Sequence, residues 1–269
     1  MSGRTVFISA DLEGISGWAG DDESMSATRT AMARDVNAAI EGVLDTDPEA
    51  AVLVADAHGD KRTIPPDELH HRASLLRGGP RPYGMVDGVS DDTDVAFLIG
   101  YHDRPGTGGH FEHTFTGTLA DVRLNGHSVG EFELNSILLA DRGIPVALVS
   151  GDDRLERTVE DGLPDAHYVL TKTTRGQIGA ICRHPTTVTA ELTEAAAEAT
   201  TTPLPEATAP VSVDPPLTVA VDYTTPSLAD LATLWPGVER GEDSRTIRCV
   251  VDDIPTAYQF VRAAAKVQT

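Results

Sequence analysis

The chain has 269 residues, 40% of them apolar, which is enough to bury a core and too apolar for a disordered chain. It carries 42 Asp and Glu against 21 Lys and Arg, a formal charge of -21, so no basic face is expected for nucleic acid. No apolar run approaches the roughly 20 residues of a membrane helix, and the start MSGRTVFISADLEG lacks the longer apolar stretch and cleavage site of a secretory signal. A soluble, cytoplasmic protein with neither a membrane nor a nucleic-acid partner is expected.

The first strand pattern, TVFISA over 5–10, runs into Asp11-Leu12-Glu13-Gly14. Residues two apart in extended chain point to the same side, so both carboxylates can face one site. A helix is expected over 24–44, then a second strand, AVLVADA over 51–57, that leads through Asp56 into His58 and Gly59. The pair His70-His71 sits in a polar, charged stretch and reads as surface. A third strand, VAFLIGY over 95–101, delivers His102. The glycine-rich loop RPGTGG follows, but no lysine stands after it in phosphate-loop spacing, which argues against a phosphate cradle. Beyond it come His110-Phe111-Glu112-His113, a strand pattern LADVRLN over 119–125, and a helix over 128–142 with Glu131 near its start. A carboxylate in a first helical turn is favoured by the dipole and can reach outward to a cation.

The alternation continues with VALVSG over 146–151, a helix over 153–162, YVLTK over 168–172 and a helix over 186–200. The Pro- and Thr-rich segment 201–216 can be neither helix nor inner strand and reads as a surface linker. After it come LTVAVDY, a helix over 227–234, IRCVV and a helix over 253–266. This order predicts the α/β class, with a largely parallel central sheet in a three-layer αβα domain and a smaller C-terminal α+β lobe. A metal-binding catalytic domain over 1–200 and a lobe over 201–269 are the expected division.

In open α/β sheets, ligands gather beyond the strand ends. Three separate strands bring Asp11, Glu13, Asp56, His58 and His102 to one edge. Each alone reads as a solvated turn, a cap or a satisfied polar residue, and only their conjunction points to a metal site. Cys182 and Cys249 stand far apart with no paired spacing, so they are expected as buried or half-buried free thiols. Any metal must then be held by His and carboxylates.

At these residues the chain resembles the DppA family of zinc D-aminopeptidases, self-compartmentalising enzymes often associated with dipeptide uptake. The likeness rests on Asp-Leu-Glu-Gly-Ile-Ser-Gly from Asp11, Asp-Ala-His from Asp56 and Gly-Tyr-His ending at His102. It continues at His113, Val129-Gly130-Glu131, Gly151-Asp152-Asp153, Leu234-Trp235-Pro236-Gly237 and Ala257-Tyr258, and so spans essentially the whole chain. It departs in the stretch after Gly17, with its Asp21-Asp22-Glu23 run, and around 107–112.

The resemblance implies two metals, with Asp11 bridging them, Glu13 and His58 completing one site, and His102 and Glu131 the other. It implies His113 as the catalytic residue outside the ligand set, as an acid or as an oxyanion donor. It implies short D-residue peptides as substrates and a homo-oligomer, a decamer of stacked rings. Asp56 is a candidate acceptor orienting a ligand. Zinc suits such a thiolate-free donor set, and manganese or cobalt could also bind. The rival readings are a two-metal amidase or phosphoesterase, the latter disfavoured by the absence of a basic clamp near the motifs, and a non-catalytic dipeptide-binding accessory with a structural metal.

The charge has its own implication. Only three of the basic residues are lysine (Lys61, Lys172, Lys266), and the surface is expected to repel itself at low salt. At molar salt the Debye length shrinks to about 3 Å, so the composition reads as adaptation to a salty cytosol.

Overall fold

The computed structural model describes residues 3–20, 25–201, 203–204 and 206–267, so the Asp21-Asp22-Glu23 run lies outside the described residues. The first half of the chain forms β1 (Thr5–Ala10), α1 (Met25–Thr46), β2 (Ala51–Asp56), β3 (Ala73–Leu76) and β4 (Val95–Tyr101). It continues with β5 (Leu119–Leu124), β6 (His127–Ser128) and α2 (Glu131–Asp141). Next come β7 (Val146–Asp152), α3 (Asp153–Gly162), β8 (His167–Thr174), β9 (Ala180–Cys182) and α4 (Pro185–Thr201). The chain ends with β10 (Leu217–Tyr223), α5 (Pro226–Ala232), β11 (Glu239–Arg240), β12 (Thr246–Val251) and α6 (Ile254–Ala264).

Seven strands form the central sheet in the order β3-β2-β1-β4-β7-β8-β9, all parallel except the last pair. Its inner strands are apolar on both faces because both are covered. On β1, Val6, Ile8 and Ala10 join the core with Met32, Val36 and Ile40 of α1 and Leu192 of α4, while Phe7 turns to the opposite core. That second core holds Phe132 of α2, Leu155 of α3 and Tyr258 of α6, together with Val219 and Val221 of β10.

A second sheet, antiparallel, runs β11-β12-β10-β5-β6. β10 lies between β12 and β5, with Val221 opposite both Ile247 and Val122. The strands after residue 216 thus share one sheet with those at 119–128, because β10 finds its second partner in β5. Among the described residues, 203–204 and 206–216 hold no helix or strand, and no helix of the chain is long and apolar enough to cross a membrane. Cys182 and Cys249 are free and half-buried.

A buried polar network ties the layers beneath the strand ends. Tyr258 donates to Asn135 Oδ1 at 2.7 Å, Asn135 Nδ2 donates to the Tyr101 hydroxyl at 3.0 Å, and Ser9 lies 2.7 Å from that hydroxyl. Ser9 also donates to the Met85 carbonyl at 2.9 Å. Each polar atom is answered, as burial requires, and β1, β4, α2 and α6 are locked to one another.

Candidate metal centre

The strand order reverses between β1 and β4, since β2 and β3 lie on one side of β1 and β4, β7 and β8 on the other. Such a switch point opens a crevice at the carboxyl ends of the strands. Asp11 follows β1, His58 follows β2 and His102 follows β4, so three adjacent parallel strands end beside one another. Glu131 enters from the first position of α2, where Phe115 N–H donates to its Oε1 at 2.7 Å.

The turn carrying Asp11 and Glu13 is fixed by backbone. Asp11 N–H donates to the Ile99 carbonyl and Gly14 N–H to the Gly100 carbonyl, each at 2.8 Å. A Cβ on Gly14 would stand 2.0 Å from the Tyr101 oxygen, and Gly100, at φ +75, approaches the Asp11 carbonyl as closely as only glycine permits. From β8, the buried Lys172 ammonium donates to the carbonyls of Glu13 (2.6 Å) and Trp18 (2.7 Å).

The two oxygens of Asp11 face different histidines. Oδ1 lies 3.4 Å from His58 Nδ1, which is also 3.3 Å from Glu13 Oε2. Oδ2 lies 3.6 Å from His102 Nε2, which is 3.4 Å from Glu131 Oε1. Two groups of ligand atoms share Asp11, namely Asp11-Glu13-His58 and Asp11-His102-Glu131, and a third, Glu13-His102-His113, overlaps them, each with its atoms within 4.8 Å of one another. Asp11 Oδ2 and His102 Nε2 are buried and have no hydrogen-bond partner. Buried polar atoms left open in this way are costly unless an ion takes them. The donor set fits a divalent metal of the zinc type, with imidazole and carboxylate and no thiolate.

His102 is oriented by its other nitrogen, since Nδ1 stands 3.0 Å from the Asp103 carbonyl and donates to it, leaving Nε2 as the lone-pair atom. Without an ion, protons do the neutralising. Burial works against the charged imidazoles, yet the bonds from Asp11 and Glu13 hold His58 protonated up to about 11. Burial is likewise outweighed at His102, where Glu131 above all raises it to about 10. Burial, then the Glu13 charge, lifts Asp11 to about 6.

His113 stands beside this set. Its ring stacks on His102 with centroids 4.2 Å apart, and its Nε2 is 3.6 Å from Glu131 Oε1. Its Nδ1 lies 2.8 Å from the Phe111 carbonyl, which assigns the proton there and turns Nε2 toward the site. Asp152 caps α3 and also accepts from His110 N–H at 2.7 Å, tying the His113 loop to β7. The RPGTGG loop is no phosphate cradle: the N–H groups of Gly106, Gly108 and Gly109 all donate to Glu112.

Asp56 and three cations complete the surroundings of the ligand set. Asp56 Oδ2 accepts from Ile64 N–H at 2.7 Å in the turn beyond His58, while its buried Oδ1 has no partner. The absence of a basic clamp fails in three dimensions, because Lys61, Arg262 and Lys266 line the same cleft, of about 110 Å³, as Asp11, Glu13, His58 and Glu131. Residues 200 positions apart meet there, and no local pattern could have paired them. His70 and His71 stack on each other and belong to neither ligand group.

Comparison with known proteins covers nearly the whole chain. The chain is 27% identical to the D-aminopeptidase of Bacillus subtilis (strain 168) over 260 residues, which cover 94% of each chain. Its fold is similar to that of the Zn-dependent D-aminopeptidase DppA from Bacillus subtilis, a self-compartmentalizing protease, with a TM-score of 0.90 and 26% identity over 98% of this chain and 97% of that one. The model of the peptidase family described as D-aminopeptidase matches residues 5–263, nearly the whole sequence and every element of the cleft up to Arg262. The chain belongs to the D-aminopeptidase family.

Proposed function

We propose that this protein is a two-zinc aminopeptidase that removes the first residue from short peptides, with D-residues as its substrate class. The observation that carries the reading is the division of the Asp11 carboxylate between His58 and His102. Asp11, Glu13 and His58 would hold one ion, and Asp11, His102 and Glu131 the other. Manganese or cobalt would be accepted by the same donors. Ions held there supply Lewis-acid polarisation of the scissile carbonyl and a water acidic enough to attack near neutral pH. A free substrate amine would meet the ions as a neutral donor, which would select the chain end. His113 keeps Nε2 toward the cleft, where it can give or take a proton without serving as a ligand. The D-preference rests on the family kinship.

The same kinship supports a homo-oligomer, with a decamer as the proposed form, in the cytoplasm. Ile178 (75% exposed), Leu234 (78%) and Val250 (65%) are large apolar side chains that an assembly would cover.

The test is zinc titration of metal-free protein while cleavage of a D-alanyl peptide is followed. Activity should reach its plateau at about two equivalents of zinc, as a two-metal centre requires. His58 and His102 must each lose a proton to ligate, so zinc uptake at pH 7 should release about two protons per chain. Affinity should weaken as pH falls, up to about tenfold per unit for each displaced proton. A plateau at one equivalent, or activity on L-peptides alone, would overturn the corresponding part of the reading.

Salt provides a second expected result, tested at saturating zinc because bound ions cancel part of the -21 charge. Screening should raise the thermal midpoint and strengthen assembly from low salt toward molar chloride, saturating as the Debye length nears about 3 Å. Flat midpoints and flat sedimentation profiles across the series would show that the acidic surface is not a salt adaptation.

A further inference from the structure

Lys61, Arg262 and Lys266 face the metal-ligand carboxylates across one cleft. Two of the three lysines of a chain with net charge -21 thus stand at one place. An adjoining cavity of about 290 Å³ is lined by the same three cations and by the Arg62–Asp60 ion pair, and by none of the metal-ligand candidates. The cleft thus has the metal-ligand set at one end and a cluster of cations at the other.

None of the three cations makes an ion pair with a carboxylate among the described residues. Lys61 is only 5% exposed, and its Nζ donates to the Ala57 carbonyl at 2.9 Å. An ammonium has three donors. The Arg262 guanidinium lies 5.2 Å from the Phe115 ring centre, and its buried Nε has no partner. The nearby Arg81 is already engaged, donating to the carbonyls of Leu76 and Asp56. Positive charge is crowded here and short of an anion.

The backbone is arranged to produce this. Lys61 sits at φ +63, a left-handed conformation that costs a side-chain-bearing residue. It is held there by its N–H donating to the His58 carbonyl at 2.7 Å and its carbonyl accepting from Gly78 N–H at 2.6 Å. The turn that presents His58 to the metal end thus also presents Lys61 to the basic end.

We propose that Lys61, Arg262 and Lys266 form a carboxylate subsite that binds the C-terminal carboxylate of a di- or tripeptide whose free amine lies at the metal end. This rests on the aminopeptidase reading and narrows its substrate class to peptides short enough to place both termini in one cleft. An arginine fork matches a carboxylate in two parallel bonds, and lysines add point charge. A zwitterionic dipeptide carries no net charge, so the acidic protein does not repel it, and the cations at one end of the cleft orient its carboxylate.

The experiment compares D-alanyl-D-alanine, its C-terminal amide, and the amide of D-alanyl-D-glutamate, with zinc-loaded wild type, Arg262→Gln, Arg262→Lys and Lys266→Gln. Cleavage is measured as kcat and KM, and binding of each peptide to the same proteins by calorimetry. Losing a charge-assisted contact corresponds to about 10–100-fold. Wild type should favour the free acid over the amide by that factor in kcat/KM, mainly through KM. Arg262→Gln should collapse the ratio toward one, Arg262→Lys should restore part of it, and Lys266→Gln should lower it less. Thermal midpoints show whether each variant folds, and Lys266→Gln, on an exposed side chain, keeps the question open to test if Arg262→Gln does not. Equal cleavage of free acid and amide by wild type overturns the subsite and leaves the aminopeptidase reading intact. If no peptide is cleaved, the aminopeptidase reading fails, and the binding data decide the subsite by the same ratio. If the glutamate amide behaves like the free acid, the subsite takes a side-chain carboxylate as well, and the assignment to the chain end alone is overturned.

Discussion

Asp11→Asn is expected to lose both metals and at least about 10³-fold of the activity, because the side chain would no longer offer two anionic oxygens to two ions. In the wild type each oxygen of Asp11 has its own histidine, with Oδ1 near His58 and Oδ2 near His102. Asparagine keeps the shape but replaces one oxygen with an N–H donor group, which repels a cation. Two readouts check this: zinc per chain after equilibrium dialysis, and the gain in thermal midpoint on adding zinc. An ion that binds only the folded protein stabilises it by about 4 kcal/mol at a thousandfold excess over its dissociation constant. Wild type should show this gain and Asp11→Asn little of it. A variant that retains two zinc ions at wild-type affinity would show that Asp11 does not bridge.

The positions behind that expectation were largely legible in the sequence, for a physical reason. Parallel strands with both faces buried read as short apolar runs, and the polar residues ending them must lie on the carboxyl edge. TVFISA, AVLVADA and VAFLIGY therefore located Asp11, His58 and His102 before any contact was known. Adjacency was the further fact. It came from the pairing of β1 with both β2 and β4, which the runs themselves do not state. What escaped the sequence was held together by long-range contacts. LADVRLN read as a strand, but its partner β10 lies about a hundred residues away. Lys172 looked like one more basic residue, yet it is fully buried and grips the Glu13 turn through two carbonyls. β3, with only four half-exposed residues, lacks a periodic signal strong enough to read. Arg262 sits on an amphipathic C-terminal helix, and only the packing of α6 beside the strand ends turns it into part of the cleft.

His113→Ala is expected to keep zinc and lose about 10²–10³-fold in kcat with KM little changed, the loss typical of removing a proton donor or an oxyanion contact. Both ligand groups that share Asp11 are complete without His113. A third grouping, Glu13-His102-His113, does include it, so the metal count is part of the test. If zinc falls together with activity, His113 is a ligand and the mechanism must be redrawn. If zinc stays and activity stays, His113 has no part in the reaction. With zinc retained and activity lost, the leaving group separates its two possible roles. A residue that protonates the departing amine matters less when that amine leaves easily, so the His113→Ala defect would shrink on a p-nitroanilide relative to a peptide. A residue that stabilises the developing oxyanion is needed for either substrate, and the defect would stay the same. The geometry allows both roles, because the Phe111 carbonyl holds Nδ1–H at 2.8 Å whichever state Nε2 adopts. A defect that shrinks tenfold or more on the activated substrate would assign His113 as the acid.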